Sequence, residues 1–186
     1  DYEKNSILSN ITVNGTGSYI GGYAGQNTGP SYNIKVSHLK VIVTNINSQY
    51  IGGLMGYQNG TLQNIAIENV QIYSDGNYVG GVVGIHYASN LREITTFNIT
   101  VEGNQYVGGI VGTLTYLSEV NIYQITLNAI VTANRSGAGG IIGKANRGVS
   151  TSNFNLYNII IENSIISSPI HAGGIVGEVD SVNAFS

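Results

Sequence analysis

Few side chains in this sequence are of the kinds that perform acid–base, nucleophilic or metal chemistry, and those few are scattered. The histidines are His38, His86 and His171. None stands in an H-E-x-x-H or H-x-x-x-H arrangement, the spacing that brings two imidazoles to one zinc ion. The aspartates are Asp1, Asp75 and Asp180. A calcium loop gathers several carboxylates within about a dozen residues. The stretch YSDGNY at Tyr73–Tyr78 offers one and reads as a turn. Cysteine is absent, so disulfides, thiol nucleophiles and thiolate metal sites are excluded. Glu68, Glu102 and Glu162 could form a sparse acidic line, but they read as a solvated corner. A polysaccharide-cleaving β-helix needs carboxylates or cations clustered on one strand face, and no such cluster is found. No catalytic residue, cofactor or metal is expected, and the chain is not expected to be an enzyme.

The remaining candidates are groups that pack, stack and hydrogen-bond. Charged residues are 9% of the chain, against roughly 25% in ordinary soluble domains. Asparagine is 23 of 186 residues, tyrosine 13 and glycine 26. Too few Glu–Lys pairs exist to line helix faces. A 42% hydrophobic share argues against disorder. The net charge of −3 leaves no basic patch for phosphates, so nucleic acid is not an expected partner. No apolar run approaches the roughly 18 residues of a membrane span.

The elements that position these groups follow from an internal repeat. One phrase occurs six times: YIGGYAG, YIGGLMG, YVGGVVG, YVGGIVG, GAGGIIG and HAGGIVG. Its glycine pairs are Gly21–Gly22, Gly52–Gly53, Gly80–Gly81, Gly108–Gly109, Gly139–Gly140 and Gly173–Gly174, spaced 31, 28, 28, 31 and 34 residues apart. Ten to twelve residues before the pair stands Asn10, Asn69, Asn98, Asn128 or Asn163, with Lys40 in the sixth place. Short β-branched runs bounded by Gly, Asn and Ser flank this column and read as strands.

A period near 30 marks a unit too small to bury its own apolar side. The expected fold is all-β: a single-stranded parallel β-solenoid of about six coils of 28–34 residues, one repeat domain over 1–186. Equivalent residues should then stack in files. The asparagines would form an amide ladder. The glycines would either permit a bend at positive φ or form a strip without Cβ atoms. Tyr19, Tyr50, Tyr78 and Tyr106, two positions before the pair, would stack over that strip, or offer it to another filament or to sugar rings.

Gly52–Val70, GGLMGYQNGTLQNIAIENV, resembles the GLUG repeat, with its glycine-rich core, polar turn and Ile/Val-rich strand. The resemblance extends to all six units, and units five and six lack the leading tyrosine. It implies an extracellular or cell-surface, non-enzymatic segment of the kind found in adhesins and in the non-catalytic part of IgA-specific metallopeptidases. N-x-S/T sequons occur at Asn10, Asn14, Asn59, Asn98 and Asn134. Asn14, Asn59 and Asn134 are the better glycan acceptors, next to glycine or in turn-like stretches.

Neither end carries an obvious cap, and the spacing from Gly173 through the end to a following copy's Gly21 falls within the repeat period. This leads to an expected structural role: a fibre, filament or surface appendage built by end-to-end stacking, with the chain itself as partner, or a piece of a longer array. The alternative is an adhesin-type module for carbohydrate or a host surface. A polysaccharide-active enzyme ranks third.

Overall fold

A strictly extended strand puts every second residue on one face, yet the buried positions in Leu62–Ser74 do not follow that rule. Leu62, Ile65, Ile67, Val70, Ile72 and Ser74 are buried, so the spacing runs three, two, three, two, two. Each three-residue step contains one residue in the left-handed region: Asn64 at φ 55° and Asn69 at φ 54°. One such residue turns the chain and exchanges its faces, so that apolar side chains keep pointing inward around a corner. Asparagine tolerates this region because its short amide bonds locally.

The computed structural model describes residues 5–87, 90–116, 119–147 and 154–180. The first coil holds β1 (Ser6–Gly15), β2 (Ile20–Gly21) and β3 (Ala24–Asn27). The second holds β4 (Ser31–Val43), β5 (Gln49–Gly52) and β6 (Met55–Asn59). The third holds β7 (Leu62–Ser74), β8 (Asn77–Gly80) and β9 (Val83–Tyr87), and the fourth β10 (Leu91–Gly108) and β11 (Val111–Tyr116). The fifth holds β12 (Val120–Leu127), β13 (Ala129–Gly139) and β14 (Ile142–Arg147). The sixth holds β15 (Phe154–Ile161), β16 (Ile165–Ser167), β17 (Ala172–Gly173) and β18 (Val176–Asp180).

All pairing is parallel between successive coils. It forms one twelve-stranded and one six-stranded sheet, with no helix among the described residues. The chain is a β-solenoid of about five turns rather than six. Six glycine phrases are six rungs, and six rungs enclose five rung-to-rung steps. The expected short strands separated by turns are, in the second and third coils, one long hydrogen-bonded strand bent at single residues, followed by two short ones.

Register is strict. Gly21 pairs with Gly52, Gly52 with Gly80, Gly80 with Gly108, Gly108 with Gly139 and Gly139 with Gly173. Inside, files of like residues run along the axis, such as Val13, Val41, Ile72, Val101, Val131 and Ile166. The four middle members are at most 0% exposed, whereas Val13 and Ile166 are only partly buried. Each full burial contributes roughly 1.5–3 kcal/mol, and the terminal coils collect less because one neighbour is missing.

The glycine pair does not make the expected bend, and its strip without Cβ atoms is covered. None of the paired glycines has a positive φ. Nor do they form an exposed strip: both members of the pair are buried from Gly52 to Gly140. A Cβ on Gly81 would strike the carbonyl of Gly109 in the next coil, and one on Gly52 would strike the carbonyl of Met55 in its own turn. Backbone packs directly on backbone here, along the axis and across the fold of the phrase.

The asparagine column also needs correction. Asn10, Asn69, Asn98 and Asn163 occupy one corner at positive φ, but its member in the second coil is His38 (φ 52°), not Lys40. Lys40 aligns with Thr12 and Gln71 on the flanking face. Asn128 stands in this file without a positive φ. Its Oδ1 accepts from the Asn98 amide N–H at 3.1 Å, and Asn98 Nδ2 donates to Asn69 Oδ1 at 2.8 Å. Asn10 instead donates to Ser9.

Candidate functional site

The third corner of each coil precedes the glycine pair, and tyrosine makes it. Tyr19, Tyr50, Tyr78 and Tyr106 have φ values of 58°, 62°, 58° and 56°. A bulky residue in this region costs roughly 1–2 kcal/mol, and ring packing offsets that cost. Successive rings lie 5.2 Å apart at 20–23°, a continuous offset stack through four coils. Each such pair contributes about 0.5–1.5 kcal/mol beyond burial. In the fifth coil Gly137 takes the corner at φ 72°, and a Cβ there would lie 2.8 Å from the Tyr106 ring. The tyrosine file ends at that point because the last ring occupies the space over Gly137.

Lys144 closes the stack, its Nζ 4.6 Å from the centre of the Tyr106 ring. It pairs with Glu178 at 3.1 Å and Asp180 at 3.4 Å, and Glu178 also lies 3.3 Å from His171. Burial pulls the Lys144 pKa down, but the hydrogen bond and charge of Glu178, with Tyr106 and Asp180, outweigh it and hold it above the ordinary value.

Beside the tyrosine file, the outer face of the six-stranded sheet forms a groove of about 290 Å³. Tyr57 on β6 and Tyr87 on β9 rise from its floor. The Tyr57 ring stands 6.1 Å from Tyr19, nearly perpendicular to it, and 6.2 Å from Tyr87 at 34°. Thr113, Thr115 and Asn146 continue the floor, with Asn146 Nδ2 donating to Thr113 Oγ1 at 3.0 Å. The Tyr50 phenol is held above its ordinary pKa, first by burial and then by Tyr78, Tyr19 and Tyr87 around it.

No family model, curated protein or solved structure matches the chain.

The other candidate residues lie apart from this groove. A second groove, of about 600 Å³, follows the Asn10–His38–Asn69–Asn98 corner and the Thr12–Lys40–Gln71–Thr100 face. Asn14, Asn59 and Asn134 are exposed, and so are Asn10 and Asn98. Glu68, Glu102 and Glu162 share no file: Glu68 lies 3.7 Å from Lys35, and Glu102 accepts from Asn134 at 3.2 Å. No group of three His, Cys, Asp or Glu capable of holding a metal occurs among the described residues.

Sequence reasoning missed two sets. One is the corner Asn33, Asn64, Glu93, Gln124 and Asn158, all at positive φ, whose changing residue types hide the column. The other is the file Tyr32, Gln63, Arg92, Tyr123 and Tyr157. In it Arg92 donates to Tyr123 Oη at 2.9 Å, and Tyr123 stacks on Tyr157 at 4.8 Å.

Proposed function

We propose that the chain is a structural, extracellular protein that forms or belongs to a fibre or surface appendage by end-to-end stacking of solenoid coils. One observation carries the reading: the two terminal coils present complementary open faces. Among the described residues, β1, β2 and β3 pair only with the second coil, and β15 to β18 only with the fifth. Their inward residues, Leu8, Ile11 and Val13 at one face and Leu156, Ile159 and Ile161 at the other, are partly buried, while the middle members of their files are buried. Backbone N–H and C=O groups that pair with no further coil among the described residues, beside half-covered apolar side chains, offer a template for another parallel coil. Extending the register sets Ile161 over Leu8 and Gly173 over Gly21 of a following copy. The contact is heterologous and does not close, so it propagates. The extracellular placement rests on the GLUG resemblance.

Electron microscopy of the purified chain tests this. Rods of constant width should grow with concentration, in steps of roughly 29 Å, the six coil spacings that each added chain contributes. Ile11→Lys and Ile159→Lys, which put a charge into each open face, should stop growth. Compact monomers at every concentration would refute the reading. An adhesin-type role is a second reading, favoured by a separate observation, the groove beside the tyrosine file.

A further inference from the structure

The groove beside the tyrosine file has a particular chemistry. Among the described residues, phenols, an isoleucine, threonine hydroxyls and an amide line it, and none of these side chains carries a charge. The phenol of Tyr50 is surrounded by those of Tyr78, Tyr19 and Tyr87, and this environment favours the neutral hydroxyl, which both donates and accepts hydrogen bonds. The groove therefore suits a ligand that is uncharged and rich in hydroxyl groups.

Its direction narrows the class further. The lining residues come from the first coil to the fifth, so the groove crosses the strands and follows the axis for roughly 19 Å at the inter-strand spacing. The floor strands β6, β9, β11 and β14 are each paired on both sides. They offer no free edge, and an extended peptide could not add to them as a strand. A linear polymer laid along this axis would cross successive coils at about 4.8 Å each.

The rings divide the work. Tyr19, Tyr50, Tyr78 and Tyr106 spend their faces on one another. Tyr57 and Tyr87 stand outside that stack, half-buried and tilted to each other, and an aromatic face suits stacking against a flat apolar one. A sugar ring has such a C–H face and a rim of hydroxyls.

We infer that this groove binds a neutral, linear polysaccharide laid parallel to the solenoid axis, with Tyr57 and Tyr87 as stacking platforms and Thr115 and Asn146 as hydrogen-bonding partners. The inference rests on the adhesin-type reading, not on end-to-end stacking. Groove variants leave the terminal coils intact, so the two fail separately: rods without glycan binding refute this site alone.

Calorimetric titration of the 186-residue chain with cellohexaose, maltohexaose and laminarihexaose, and with polygalacturonate as an anionic comparator, tests it. At least one neutral oligosaccharide should bind. The double variant Tyr57→Ser/Tyr87→Ser should weaken binding about tenfold or more, on the scale of one lost ring contact per platform. Tyr157→Ser, in the other sheet and stacked on Tyr123, should leave it unchanged. Circular dichroism shows whether the double variant keeps the coil; if it does not, Asn146→Ala decides, with weaker binding expected. No binding to any neutral probe, preference for polygalacturonate, or unchanged affinity in a folded groove variant would overturn the inference.

Discussion

Replacing Tyr78 by glycine should harm the protein less than replacing it by alanine, the reverse of the usual order in a strand. Tyr78 sits at φ 58° between Tyr50 and Tyr106, in ring contact with both. Both variants lose the same two stacking contacts, about 1–3 kcal/mol together. They differ in the backbone. Alanine keeps the left-handed strain of roughly 1–2 kcal/mol. Glycine removes it but loses about 0.5–1 kcal/mol to its freer unfolded chain. The balance favours Tyr78→Gly over Tyr78→Ala by about 0.5–1 kcal/mol, or roughly 1–4 °C in Tm for a chain of this length. Urea unfolding followed by circular dichroism measures the difference, and because both changes fall at one position they probe the same unfolding unit. Equal stabilities, or a more stable alanine variant, would show that the tyrosine corner carries no left-handed strain.

Two further outcomes follow from the same geometry. Gly81→Ala should destabilise by more than about 3 kcal/mol or abolish folding, because its Cβ would enter the Gly109 carbonyl. Gly174→Ala, at the equivalent position in the last coil with nothing within 4 Å, should stay within about 0.5 kcal/mol; thermal melts of the pair read the contrast. The Tyr50 phenol has its folded pKa raised, chiefly by burial. Its contribution is therefore complete below the unfolded tyrosine value of about 10 and is lost as pH rises through the folded one. Urea midpoints should fall above about pH 10, and less steeply in Tyr50→Phe. An alkaline limb identical in the two proteins would contradict this.

The axial register was legible because stacking demands it. A phrase that must lie on its own copy repeats, and glycines that touch carbonyls of the next coil admit no substitute. The corners were not legible, for three physical reasons. Inward spacing of three, two, three, two, two matches neither a strand nor a helix period, so Leu62–Ser74 reads as fragments. Tyrosine is a poor residue for the left-handed region in isolation, so nothing local marks Tyr19, Tyr50, Tyr78 and Tyr106 as corners; only the stack explains them. Finally, counting back from the glycine pair places Lys40 where His38 stands. The second coil has five residues between β4 and β5, against two between β7 and β8, and the three added there displace the count. The groove was hidden for a related reason. Tyr57 and Tyr87 come from non-equivalent positions of successive coils, Tyr57 aligning with Ile85 and Tyr87 with Asn59, so no column announces them.

Parallel pairing between successive coils also sets how the rod yields under tension. Its inter-coil hydrogen bonds point along the axis, so a pull from the two ends loads one coil boundary at a time. Each coil holds about 4.8 Å of height while intact. Once released, its 28–34 residues span roughly 100 Å. Such a solenoid lengthens in discrete increments of about one repeat each and absorbs mechanical work at every increment, while the coils still in register keep their shape.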